Sequence, residues 1–326
     1  MERGGWLSHF SNMKTIQAPR ASTILYNLLT ARADSRPWLL PANICPIVPI
    51  TFLKARTPFE FVDISAATLH MDLEQAEGRI KTRKFGGLLY AHTYGEPSTP
   101  RDFFASVKYL APEFVLVDDR CLCIPDFEYD SSVDLTLYST GYAKIVDLDF
   151  GGYAFAQDDL EYQLTNLPFN PQDLIKLEAT YKEAVETREA FIYHDSDWLE
   201  TYAPMPAWYD YRQQIEKGLK ASLFSRTGLN VVYQKLLPQA IQLPQAYQIW
   251  RYNIRVKNSA NVLKAIFEAR LFASSHYASL AGIMVEGLAP QAETLANQVI
   301  NLFNDHHFDL QKVEKICEVI SENYEG

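Results

Sequence analysis

Lys144 closes the run Leu137-Tyr138-Ser139-Thr140-Gly141-Tyr142-Ala143-Lys144, and Gly151-Gly152 follows after six residues. An amine held just past the end of a buried strand, with a hydroxyl residue five positions earlier, can attack an aldehyde and retain it as a Schiff base. Such chemistry needs anchors for the rest of the ligand, and two other stretches supply candidates. Arg20-Ala21-Ser22-Thr23 stands at the start of a predicted helix, where backbone N–H groups and hydroxyls could hold a phosphate dianion against the positive end of the helix dipole. The same residues also read as an ordinary N-cap by Ser22. Asp118-Asp119 follows the apolar Phe114-Val115-Leu116-Val117; a carboxylate there can pair with a protonated pyridine nitrogen, or else cap a helix or bind a metal.

An amine, a dianion anchor and a carboxylate for a ring nitrogen are together what pyridoxal 5'-phosphate requires of a protein. In that arrangement Ser139 could donate to the phosphate while Lys144 forms the Schiff base and later moves the proton at the substrate's α-carbon.

The elements that must position these residues read as an α/β fold. Short apolar runs at 38–40, 59–62, 88–91 and 114–117 alternate with predicted helices at 23–31, 45–55, 72–77 and 101–110, with Pro100 opening the last. This βαβ rhythm predicts a mostly parallel sheet whose ligands bind outside the carboxyl ends of the strands. Strands at 134–138 and 152–155 continue the series, a helix at 171–193 follows, and the sheet is complete near residue 156. Residues 196–245 carry no clear pattern beyond a helix at 210–223. From there a strand at 248–256, helices at 260–269, 290–303 and 309–322, and a hinge-like stretch at 274–277 predict a small α+β domain. The division is therefore a large cofactor domain over 1–240 and a small C-terminal domain over 241–326.

Composition narrows the functional class. With 30 basic against 40 acidic residues the net charge is -10, which opposes a grip on nucleic acid. Residues 1–20 lack the features of a secretory signal, and the apolar run at 41–53 carries three prolines, so no membrane partner and a cytoplasmic setting are expected. Cys45, Cys121, Cys123 and Cys317 lack paired zinc-ligand spacing and read as buried thiols, and His306-His307 as an exposed loop pair whose rings diverge, so no metal is expected. His92 reads as a structural histidine, and the tyrosines near the cleft, Tyr94, Tyr142 and Tyr277, mainly as core and interface filler.

In order and spacing the chain resembles the DegT-type sugar aminotransferases, fold type I pyridoxal-phosphate enzymes that aminate keto groups on nucleotide-linked sugars. The resemblance is carried by Ala21-Ser22-Thr23, Pro41-Ala42-Asn43, Phe61-Val62-Asp63-Ile64, His92-Thr93-Tyr94-Gly95, Asp118-Asp119, and the run from Ser139 to Lys144 with Gly151-Gly152. Toward the C-terminus, Tyr252-Asn253-Ile254-Arg255-Val256, Ser275-His276-Tyr277 and the stretch 292–303 extend it. It implies an aspartate-aminotransferase-like large domain, a homodimer, an amino acid donor and a keto-sugar acceptor. It further implies Lys144 as the catalytic residue, with Ala21, Ser22, Thr23, Cys45, Asp119 and Ser139 holding the cofactor.

The chain also departs from the family. Leu122 stands where a glutamine usually contacts the ring oxygen, Cys45 where a wider residue stacks on the ring, and Phe150 where an acidic residue precedes the glycine pair. A glycine–asparagine–arginine motif reaching the neighbouring subunit's phosphate has no clear counterpart. These departures admit two alternatives: another pyridoxal-phosphate reaction, such as elimination or dehydration, and a noncatalytic binding or scaffold protein.

Overall fold

The computed structural model describes residues 13–325. It begins with β1 (Met13–Ala18), α1 (Ala21–Ala31), β2 (Trp38–Pro41), α2 (Ile47–Lys54), β3 (Phe59–Val62), α3 (Leu73–Ile80) and β4 (Gly87–Ala91). Next come α4 (Arg101–Leu110), β5 (Val115–Asp119), β6 (Leu135–Ser139), β7 (Gly152–Gln157), α5 (Pro171–Thr187) and α6 (Trp208–Leu236). The chain ends with β8 (Tyr252–Arg255), α7 (Ser259–Glu268), β9 (Ala273–Ser274), α8 (Pro290–Ala296), β10 (Val299–Leu302) and α9 (Leu310–Asn323).

Seven strands form one sheet in the order β1-β7-β6-β5-β4-β2-β3, parallel throughout except for β7, which runs antiparallel to both neighbours. The mostly parallel α/β sheet expected from the sequence is thus present. Its central strands are apolar runs because both faces are covered. Leu89, Val115, Val117, Leu135 and Leu137 pack into the core beneath α1 and α2, whereas Leu88, Tyr90 and Leu116 pack into a second core beneath α3 and α4. Leu88, Leu89 and Tyr90 alternate in this way because successive side chains of a strand point to opposite faces.

Strand β1 escapes sequence reading, since Met13-Lys14-Thr15-Ile16-Gln17-Ala18 is polar at alternate positions and buries only Ile16 and Ala18 at the sheet edge. The predicted helix at 290–303 is corrected: the helix ends at Ala296, and Val299-Ile300-Asn301-Leu302 is the central strand of a three-stranded antiparallel sheet, β8-β10-β9. Two β-branched residues in a run buried at every position favour the strand. The weakly patterned region holds a helix far longer than the predicted 210–223. At 29 residues and about 43 Å, α6 places Tyr211 and Ile215 against the large sheet and Tyr233 in the C-terminal core. Serving two different cores at its two ends blurs the single apolar stripe that would have marked it. Among the described residues, no helix is long and apolar enough to cross a membrane.

Helix ends are fixed by short polar side chains where the sequence provides them: Asp72 accepts from Glu74 and Gln75, Asn170 from Gln172 and Asp309 from Lys312. Asp63, just past β3, performs the same service at long range. Its carboxylate accepts the N–H groups of Gln291 and Ala292 at 3.0 Å each, capping α8 across more than two hundred residues of chain, as well as that of Ile64. Asp63→Ala should therefore lower unfolding free energy by about 1–2 kcal/mol in urea titrations, and Asp63→Asn by less. An unchanged midpoint in both variants contradicts this role for the cap.

Candidate active site

Strand alternation decides which of two adjacent aspartates faces the ligand space. Val115, Val117 and Asp119 share the face of β5 that looks toward α1 and α2, while Leu116 and Asp118 look the other way. On β6 the same face carries Leu135, Leu137 and Ser139, and on β4 Leu89 and Ala91. Asp119 is paired in register with Ala91 and Leu137, so β4 and β5 end level and β6 extends two residues beyond them to Ser139. Beyond those ends lies a cavity of about 260 Å3 whose lining includes Ala21, Ser22, Cys45, Asp119, Ser139 and Lys144. Six of the seven sequence-predicted site residues thus converge on one space.

The seventh, Thr23, does not line it. Its hydroxyl donates to the carbonyl of Glu200 at 2.6 Å and its N–H to that of Arg20 at 3.1 Å, so it ties the segment after α5 to the start of α1. Arg20 works beside it, with Nε on the Glu200 carboxylate at 3.1 Å and Nη1 on the Asp149 carbonyl at 2.6 Å. The mouth of α1 is left open: Arg20 occupies the capping position in an extended conformation, and neither it nor Ser22 caps the helix. An 11-residue helix without a side-chain cap directs its positive end at the cavity.

The glycine pair makes this mouth possible. A Cβ on Gly152 would lie 2.5 Å from the Ala21 nitrogen, so only glycine lets β7 run directly against the first turn of α1. Gly151 adopts φ +95°, and a Cβ there would also strike Thr140 Oγ1.

Asp119 and Asp118 lie in opposite electrostatic settings. Burial pushes the Asp119 carboxyl above the usual carboxylate range; the Cys121 N–H, donating to Oδ1 at 3.0 Å, and the charge of Lys144 offset this only in part. Burial acts on Asp118 as well, but hydrogen bonds from His92 Nε2 at 2.7 Å and Arg120 Nε at 2.6 Å, with the charges behind them, leave it below that range. His92 is fixed at its other nitrogen by the carbonyl of Glu96, at 2.7 Å. Asp119 is the carboxylate whose environment calls for a further cation, and the cavity is where one would come from.

The remaining walls were only partly readable. Tyr277 and Cys45 meet within hydrogen-bonding reach, and burial drives the Tyr277 hydroxyl well up in pKa. Asn43 donates to the Leu69 carbonyl at 3.1 Å and to Thr93 Oγ1 at 3.2 Å while lining the cavity. Leu122 lines it too, whereas Phe150 stacks on Tyr211 away from it. His306 and His307 are both exposed, but their rings lie 4.0 Å apart instead of diverging, since a turn and not a regular element carries them. The neighbouring Asp305 is already ion-paired with Arg251.

No family model matches the chain, and no curated protein does. Solved structures match over nearly its whole length. A DegT DnrJ EryC1 StrS aminotransferase from Brucella abortus superposes with a TM-score of 0.65 at 14% identity, covering 97% of this chain and 87% of that one. The putative sugar aminotransferase Spr1654 from Streptococcus pneumoniae, in its PLP form, gives 0.69 at 16%, covering 95% and 86%. PseC from Helicobacter pylori, an aminotransferase of pseudoaminic acid biosynthesis, gives 0.68 at 12%, covering 94% and 86%. The chain has the fold of the DegT-type sugar aminotransferases.

Two histidines near the site make the structure acid-sensitive. Burial, with the charge of His92, lowers His70 to about 3, and burial, with the charges of Arg251 and Lys144, lowers His276 to about 4. Unfolding frees both to take up protons, so each withdraws stability as pH falls from about 6.5 toward those values. Urea titrations across this window should find that His70→Gln loses less stability on acidification than the parent protein. Parallel losses in the two proteins contradict the burial of a neutral His70.

Proposed function

We propose that this chain is a pyridoxal-phosphate-dependent aminotransferase that moves an amino group from an amino acid donor to a keto sugar, in its natural form nucleotide-linked. The observation carrying the proposal is that Lys144, Asp119 and the uncapped mouth of α1 border one cavity. The fold shared with Spr1654, whose solved structures include a PLP form and a PMP form, supports the choice of cofactor. A homodimer and a cytoplasmic setting belong to the same proposal.

The residues fit the group. Ala21, Ser22 and Ser139 would hold the phosphate at the helix mouth, and the close approach allowed by Gly152 keeps that mouth in place. Asp119 would face the ring nitrogen and keep it protonated. Bound pyridoxal phosphate supplies an aldehyde and an electron-accepting ring. Lys144 would link to that aldehyde while the site rests, then stand free as the amine that takes the proton from the substrate's α-carbon and returns it one atom away. Cys45 and Tyr277 close the wall and limit water at the amine. Leu122 lines the cavity where the family has glutamine, so that hydrogen-bond donor is lost to the ring oxygen, and this altered wall motivates another reaction on the same cofactor, such as elimination or dehydration, as the second reading.

Purified protein incubated with pyridoxal phosphate should become yellow, lose that absorption when glutamate or another amino donor is added, and recover it with a keto acceptor. Lys144→Ala should abolish the lysine-linked band and reduce turnover by about 100-fold or more. Asp119→Asn should retain bound cofactor but slow the half-reaction with the donor. A parent protein that takes up no cofactor contradicts the proposal and favours a noncatalytic binding role, while uptake with no response to any amino donor favours the second reading.

A further inference from the structure

We infer that Arg226 and Trp250 are positioning residues for Lys144, clamping the peptide groups on both sides of it from the second half of the chain. The inference rests on the reading of Lys144 as the cofactor lysine and adds a device that its sequence neighbourhood does not contain.

The peptide unit entering Lys144 carries the Ala143 carbonyl, which accepts the indole N–H of Trp250 at 2.7 Å. The unit leaving it carries Lys144's own carbonyl, which accepts from Arg226 Nη2 at 3.2 Å. The two clamps are joined, because Arg226 Nη1 donates to the Trp250 carbonyl at 2.5 Å and to Asn304 Oδ1 at 2.6 Å, while Nε donates to Ser222 Oγ at 2.9 Å. One guanidinium thus spans α6, the approach to β8 and the segment after β10 before it reaches the lysine. A planar fork of donors makes such a contact set; an ammonium on a flexible stem cannot.

The clamped segment needs external support. Ala143 has φ 59°, a left-handed conformation that a residue with a Cβ adopts only when its surroundings impose it. Its N–H is held by Asp147 Oδ2 at 2.7 Å, and the clamp fixes its other end. Trp250 is itself immobilised, stacked at 6.5 Å on Tyr94 and at 6.3 Å on the cavity residue Tyr277. Arg226 is buried beside a second buried cation, Arg251, with Asp305 as the carboxylate near both. Two guanidiniums so close are an expensive way to fill a core, and burial together with the charge of Arg251 lowers Arg226 to about 10. The geometry accounts for the cost: the donors converge on the backbone of the one residue whose amine must meet an aldehyde within a fraction of an ångström.

The test loads purified protein with pyridoxal phosphate and follows the visible band of the lysine-linked cofactor against pH. Trp250→Phe keeps the ring and removes the N–H; Arg226→Lys keeps the charge and removes the fork. Each should move the midpoint of the band's pH titration by about half to one unit, the size expected of one net hydrogen bond acting on one linked form. Arg188→Lys is the control. It replaces the guanidinium of the Arg188–Glu293 pair at 2.8 Å, which joins the end of α5 to α8 and lines neither the cavity nor the clamp. It should leave the midpoint unmoved. Trp250→Phe decides alone if Arg226→Lys does not fold. Folded Trp250→Phe protein with the parent midpoint overturns the inference, and so does a shift of equal size in Arg188→Lys. A parent protein with no band at all overturns the cofactor reading beneath it, so the two failures are distinguishable.

Discussion

The buried carboxylate of Asp119, facing a cavity it shares with the amine of Lys144, is the interaction on which the rest of this structure depends. A carboxylate removed from water is costly unless a cation or several donors compensate it. Here one backbone N–H and the neighbouring lysine compensate it in part, and burial still raises its pKa. Asp118, one residue earlier and on the opposite face of the same strand, is fully engaged by His92 and Arg120. The pleat of β5 therefore separates a fully engaged carboxylate from one that is only partly compensated and borders the cavity.

Everything near Asp119 serves to keep that space open and its walls fixed. Parallel strands in register set Ala91, Asp119 and Leu137 side by side, and β6 runs two residues further to bring Ser139 to the same cavity. The missing side chain of Gly152 lets the antiparallel β7 press against the start of α1, whose uncapped N-terminus becomes the anion-facing end of the cavity. Thr23, Arg20 and Glu200 secure that mouth from outside. The second half of the chain supplies the support for Lys144 through α6 and Trp250, so that the small sheet and Lys144 are mechanically continuous.

Much of this was legible in the sequence for identifiable reasons. The parallel sheet announced itself because strands buried on both faces are unbroken apolar runs, and the cavity residues because ligand chemistry gathers at the carboxyl ends of such strands. Thr23 was misplaced by proximity: it sits in the anchoring turn, but the helix rotates its hydroxyl toward Glu200, a partner in a segment with no readable pattern. Arg226 gave no signal, since one arginine in a long polar-looking helix resembles any solvated charge until the helix is known to cross behind Lys144. Strand β10 passed for the end of a helix because α8 leads into it with only two residues between them. The resemblance singles out Asp119 over Asp118, and strand alternation gives the physical reason, since only Asp119 shares the cavity-facing side of β5 with Val115 and Val117.

The most direct test of the central claim is chemical trapping. Purified protein incubated with pyridoxal phosphate, reduced with borohydride and digested should yield one stoichiometric pyridoxyl-modified peptide, that containing Lys144, with the label lost on moving the same reaction to Lys144→Ala. Labelling spread over surface lysines, or none above the level of the Lys144→Ala protein, contradicts the account.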